Sequence, residues 1–143
     1  MTISMAKFTL SLEEDYPYFI IGISSSTPDY RLCWSLNKTL DISLKRDKSI
    51  DIHSKNGDVT AHSVFEYTDE VLNTKYRLIE NKKGSSRFLS EANQADYLLI
   101  IDDSDKIQIS DLLNEIKKIA QVILAFSIDI DSLKQKQNLM LTA

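Results

Sequence analysis

The sequence is short of the residues around which small proteins usually build special chemistry. Cys33 is its single cysteine, so no intramolecular disulfide can form and a zinc site made of several thiolates is excluded. Gly22, Gly57 and Gly84 are the only glycines and stand far apart, which leaves no glycine-rich loop to cradle a phosphate. Motifs for hydride, phosphoryl and acyl transfer are absent as well. Pro17 and Pro28 are the only prolines, so long irregular segments are not expected. The longest apolar runs, Tyr97–Ile101 and Val122–Phe126, fall far short of the roughly 20 residues that a membrane helix needs. Met1–Lys7 lacks the basic region and apolar core of a secretory signal. Positive charge is in deficit too: 17 Lys and Arg against 21 Asp and Glu give a net charge of −4. A nucleic-acid binder gains affinity by neutralising phosphates, so this balance is a poor start for one. These absences point to a cytosolic protein with no cofactor, no membrane association and no nucleic acid among its expected partners.

What is present fits an ordinary soluble domain. A chain of 143 residues, 43% apolar and 27% charged, is the size of one domain (1–143) that buries roughly 70% of its unfolded surface without a metal or disulfide. Lys7–Glu13 alternates Phe8, Leu10 and Leu12 with polar residues, the period of a half-buried strand. Tyr18–Ser24 is denser and suits a strand covered on both faces. Thr27-Pro28-Asp29 reads as a helix start, with Thr27 as N-cap and Pro28 in the first turn. Tyr30, Cys33, Trp34, Asn37 and Leu40 follow at helical spacing, flanked by Leu32 and Leu36, and predict a stripe buried against a sheet.

Asn56-Gly57 lies between two alternating runs and predicts a two-residue hairpin turn. With Lys55 and Asp58 at the corners, Ile52 faces Ala61 and Ile50 faces Ser63. One face then carries Ile50, Ile52, Val59 and Ala61, and the other Asp51, His53, Thr60 and His62. Further strands are expected at Thr74–Glu80 and at the continuously apolar Tyr97–Ile101, with a loop over 82–86 between them. Ser110 is the expected cap of a second helix bearing Ile109, Leu112, Leu113, Ile116 and Ile119. Val122–Ile128 is rich in residues that favour a pleat and is expected as a strand. A polar tail starts at about 129. Each helix lies between strands, which predicts an α+β fold, ferredoxin-like or regulatory-domain-like, with a mostly antiparallel sheet and two helices packed on one face.

Leu89-Ser90-Glu91-Ala92-Asn93-Gln94-Ala95-Asp96-Tyr97 resembles the signature of a small bacterial family of unknown function, the IPExxxVDY family. Ile21–Ser24, Asp29–Trp34 and Leu36-Asn37 look like its N-terminal block, and Leu133-Lys134 with Asn138-Leu139 like its C-terminal one. The chain departs from the signature at Leu89, Ser90 and Ala95, while Glu91, Asp96 and Tyr97 remain. The resemblance implies no activity, cofactor or substrate.

Several polar groups merit a chemical reading beside a structural one. Glu91 and Asp96 are the candidate acid–base pair, provided their environments separate their pKa values; alternatively they bond backbone amides ahead of the buried strand. Asp51, His53 and His62 share the polar hairpin face in the predicted register and are the candidate metal ligands; otherwise they are its wet side. Asp29, Arg31, Trp34, Asn37 and Tyr97 are the binding candidates. Trp34 is expected in the core, and Asn37 falls near the apolar stripe, where an amide without partners is costly. Cys33 has neither histidine near it in sequence and reads as a small buried hydrophobe. Arg31, Lys38, Lys45, Arg46 and Lys48, and again Lys75, Arg77, Lys82, Lys83 and Arg87, read as solvated faces; the second group is what an RNA-binding domain would use. The leading expectation is a non-catalytic interaction or regulatory module with a protein partner or a homodimer, using exposed aromatics such as Tyr16, Tyr18 and Tyr30 and the apolar Leu139–Leu141. A small enzyme built on Glu91 and Asp96 is the alternative.

Overall fold

The computed structural model describes residues 18–54, 56–102 and 108–129. The strand expected at Lys7–Glu13, Tyr16, and the tail with Leu133-Lys134 and Asn138–Leu141 lie outside the described residues. Strands β1 (Tyr18–Ser24), β2 (Lys45–His53), β3 (Val59–Asp69), β4 (Thr74–Glu80), β7 (Tyr97–Asp102) and β8 (Leu124–Ile128) form one sheet in the order β2-β3-β4-β7-β1-β8. Every pairing in it is antiparallel. Two-residue strands β5 (Lys82–Lys83) and β6 (Ser86–Arg87) make a separate small hairpin. Helix α1 (Asp29–Leu40) joins β1 to β2, and α2 (Ile109–Lys117) joins β7 to β8. The fold is α+β.

Both helices pack on one face. Leu32, Cys33 and Leu36 of α1 and Ile116 of α2 form one core with Ile21, Ile23, Phe65, Tyr76, Leu78, Leu99 and Ile101. The opposite face is also buried. Ile20, Val64, Ile79, Leu98 and Ile100 pack there against Phe88, Leu89, Ala92 and Ala95. The continuous apolar run of β7 requires this, because successive residues point to opposite faces and both must be covered. The segment 81–96, expected as little more than a loop, is thus the second cover. Its 3-10 turn at Ser90–Ala92 carries Ala92 inward.

Three local expectations are corrected. Pro28 occupies the N-cap of α1 and Gln108 that of α2, neither with a side-chain cap bond; Thr27 and Ser110 are therefore not the caps. The stripe that α1 buries is Leu32, Cys33, Ser35 and Leu36, rotated from the predicted one, so Trp34 lies outside. The hairpin of β2 and β3 pairs Ile50 with His62, Asp51 with Ala61, Ile52 with Thr60 and His53 with Val59, one residue off the predicted register. The turn explains the slip. Ser54 N donates to Asp58 O (2.8 Å) and Gly57 N to Ser54 O (3.1 Å), so the loop holds residues 55–57. Gly57 takes a positive φ, +91°, while Asn56 accepts from Asp58 N (3.2 Å) through its side chain. This is the three-residue loop closed by a G1 bulge rather than the two-residue turn.

Gly22 has a specific reason to be glycine. It pairs with Phe126 of β8, and a Cβ at Gly22 would lie 2.7 Å from Phe126 Cζ and 2.8 Å from Cε2. Gly22→Ala forces that ring off β1 and is expected to destabilise the fold by about 1–3 kcal/mol, measured by urea denaturation.

Candidate functional site

The polar residues singled out for chemistry fall into three places. Around the start of β7 they serve the fold. Asp96 N donates to Ile23 O (2.9 Å), and its Oδ2 accepts from Ser25 N (2.8 Å), while Oδ1 sits 3.8 Å from Lys82 Nζ. The carboxylate therefore ties the β1–α1 connection to the segment preceding β7. Glu91 is exposed on the 3-10 turn. A divided acid–base pair needs two carboxylates directed into one hollow; Asp96 is instead committed to a backbone amide and a lysine. Tyr97 is buried and its hydroxyl donates to Thr27 O (2.6 Å). Burial first, and then the carboxylates of Asp29, Glu80 and Asp96, push its phenol well above the ordinary tyrosine range.

Asn81, which the sequence reading passed over, anchors this region. It is fully buried. Its Nδ2 donates to Ala92 O (3.0 Å) and Ala95 O (2.9 Å), and its Oδ1 accepts from Leu89 N (2.7 Å). Its backbone N donates to Asp96 O (2.9 Å), and its carbonyl accepts from Phe88 N (2.9 Å). One side chain thus satisfies three backbone groups of the stretch from Leu89 to Ala95, which belongs to no strand ladder. No local pattern around Asn81 distinguishes it from any residue ending a strand.

The metal candidates are not brought together. The register slip turns His62 to the same face as Ile50 and Ile52, away from Asp51 and His53. His62 is fully buried, with Nδ1 donating to Glu80 O (2.7 Å) and Nε2 3.1 Å from Ser86 Oγ. Asp51 and His53 remain exposed. Among the described residues no group of three or more His, Cys, Asp and Glu is placed to hold a metal ion.

The basic stretch 75–87 is also engaged internally. Lys75 and Arg77 each reach Glu66 Oε2 (3.3 Å). Lys82 pairs with Asp96 and Lys83 with Glu80 (3.8 Å each). Arg87 donates to Asn93 Oδ1 and to the carbonyls of Gly84 and Ser86. The RNA-binding reading finds no support there.

The third place is the outer face of α1. Trp34 is 61% exposed and Tyr30 68%, one turn apart. Arg31 and Gln121 join them around an open recess of about 400 Å³. Lys38 Nζ lies 5.0 Å from the Trp34 ring centroid, a cation–π contact that leaves the ring's other face free of that lysine. Below this face the helix is fixed firmly. Asn37 donates to Leu44 O (3.1 Å) and accepts from Leu44 N (2.8 Å), which satisfies the amide near the apolar stripe. Ser35 Oγ donates to Gln121 Oε1 (3.2 Å), and Ser25 Oγ to Gln121 O (2.7 Å), so the α2–β8 connection is held against α1. Asp29 accepts from Tyr30 N (2.7 Å) and lies 3.9 Å from Arg46. Cys33 is buried, and burial reinforced by Asp29 pushes its thiol up to about 11, an inert residue. Large aromatics standing on a rigid support, with cations beside them and no core to fill, are what contact surfaces are made of. Gln121 was missed because nothing near it in sequence signals a surface.

A scan against protein-family models found no match, and no curated protein matches the chain. No helix among the described residues is long and apolar enough to cross a membrane.

Two predictions follow the geometry around β7. Asn81→Ala leaves Leu89 N, Ala92 O and Ala95 O buried without their partner and is expected to cost about 3 kcal/mol or more, read as a lowered urea midpoint. Tyr97 holds its proton more tightly in the folded than in the unfolded chain, so its contribution is whole below the ordinary value of 10.0 and is lost as pH rises beyond it. Tyr97→Phe is expected to cost about 1 kcal/mol at neutral pH and to lose stability less steeply in alkali, measured by thermal melts across that range.

Proposed function

We propose that the protein is a non-catalytic interaction module acting in the cytosol, where a lone buried thiol stays reduced. Its partner is another protein or a second copy of the chain. The observation that carries this reading is the pair Tyr30 and Trp34, exposed on the outer face of α1 with Arg31 and Lys38 beside them. Trp, Tyr and Arg are the residues that dominate binding energy at protein interfaces. Their setting also favours a partner that offers an apolar surface rimmed by acidic groups. The residues first considered for chemistry support the reading from the other side: Asp96, Tyr97, His62 and Asn37 all bond backbone groups of the fold. We further propose that the chain is a distant member of the IPExxxVDY family; its signature segment is the buried cover of the sheet, with Glu91 exposed upon it.

Trp34→Ala tests the reading. Capture from the native cell with the wild-type chain, followed by titration of the recovered partner, is expected to show binding weakened roughly 30-fold or more by the substitution. An exposed side chain contributes little to folding, so the thermal midpoint stays within about 0.5 kcal/mol of wild type. Equal affinity of the two chains for every recovered partner would remove the proposal.

A further inference from the structure

The two edges of the sheet are built on opposite principles. An edge strand presents a row of backbone N–H and C=O groups without a neighbour, and proteins block unwanted pairing there with charges, bulges or proline. Strand β2 has such defences in full. It carries Lys45, Arg46, Asp47, Lys48 and Asp51, and its ladder is broken by a register shift between Asp47 and Ile50. Strand β8 has none of them. Its sequence, Leu124-Ala125-Phe126-Ser127-Ile128, contains no charge and no proline, and its pairing with β1 runs without a shift over all five residues. Among the described residues β1 is its single hydrogen-bonded neighbour. Just before it, Ile123 is 75% exposed, and Leu124 itself is 46% exposed.

The pattern of β8 is also its own mirror. Large residues at 124, 126 and 128 share the face away from the helices, where Phe126 and Ile128 pack against the second core. Small residues at 125 and 127 share the helix face, with Ala125 in the first core. An antiparallel pairing of β8 with a copy of itself, centred on Phe126, sets Phe126 against Phe126, Leu124 against Ile128, and Ala125 against Ser127. Large meets large on one face and small meets small on the other, with no charge set against itself. Cross-strand aromatic and aliphatic pairs of this kind are what stabilise a ladder. A twofold contact needs such self-complementarity.

We propose that β8 is the edge through which two copies of the chain join, antiparallel and about a twofold axis, to continue the sheet from one copy into the other. This deepens the interaction-module reading by naming the second copy as one partner, and it uses a surface distinct from the α1 aromatics. The dimer leaves Tyr30 and Trp34 for a different protein.

The test uses the full chain. Ser127 is exposed and faces Ala125 of the partner copy in the proposed pairing, so Ser127→Lys gives β8 the defence that β2 already has. Sedimentation of the wild type over a range of concentrations is expected to show a monomer–dimer equilibrium. Ser127→Lys raises its Kd by about tenfold or more, while Trp34→Ala leaves it unchanged and loses only the other partner. Hydrogen exchange on the wild type gives a second readout that does not depend on the variant folding: protection of the β8 amides is expected to rise with protein concentration. A strict monomer overturns the proposal, as does a dimer indifferent to Ser127→Lys or one dissolved by Trp34→Ala. Protection of β8 that is independent of concentration also overturns it.

Discussion

Successive residues of β7, Tyr97 to Ile101, all bury their side chains, and the rest of the structure answers that constraint. A strand points alternate residues to opposite faces, so an unbroken apolar run demands two covers. The helices supply one. The other has to come from elsewhere in the chain, and 81–96 supplies it with Phe88, Leu89, Ala92 and Ala95. That segment has almost no regular structure, so its backbone groups need partners of another kind once water is excluded. Asn81 and Asp96 provide them. The polar residues flanking β7 are thus a consequence of its apolar interior.

Periodicity alone made much of the architecture legible. Strands β1, β4 and β7 and both helices follow from apolar spacing and Pro28, and their alternation in the chain implied helices gathered on one face of an antiparallel sheet. What stayed hidden depended on contacts between distant segments. The second cover could not be read from 81–96 because its inward residues follow no single period. Trp34 misled because α1 carries two apolar stripes, Tyr30 with Trp34 and Leu32 with Cys33 and Leu36; the aliphatic one is buried, and only the sheet beneath the helix decides between them.

The hairpin shows how a small local choice propagates. Asn56-Gly57 is compatible with a two-residue or a three-residue loop, and the two differ by one position in register. Apolar sorting favoured the first, since it gathers Val59 and Ala61 with Ile50 and Ile52. The structure takes the second, leaves Val59 54% exposed and turns His62 inward to Glu80 and Ser86. The hydrogen bonds that His62 makes from β3 to Glu80 at the end of β4 and to Ser86 were invisible to a pattern that counts only apolar residues. The candidate metal site dissolved with the register, because its three members shared a face only in the rejected pairing.

Polar and apolar groups have therefore exchanged the roles that composition suggests. Asp96, Tyr97, Asn37 and His62, the residues with chemistry to offer, are bonded to backbone atoms. In these contacts they tie segments distant in the chain to one another, Asp96 to Ser25, Tyr97 to Thr27 and His62 to Glu80. The cations of 75–87 are likewise held by Glu66, Glu80, Asp96 and local carbonyls. Several large apolar groups also stay outside the core: the indole and phenol on α1, Ile123 and Leu124 at the uncharged edge, and singly Phe19, Val59 and Val71. Exposed apolar groups of that size bring no benefit to a chain alone in water. Their cost is offset when another surface covers them, and the contact role proposed for the molecule rests on that balance.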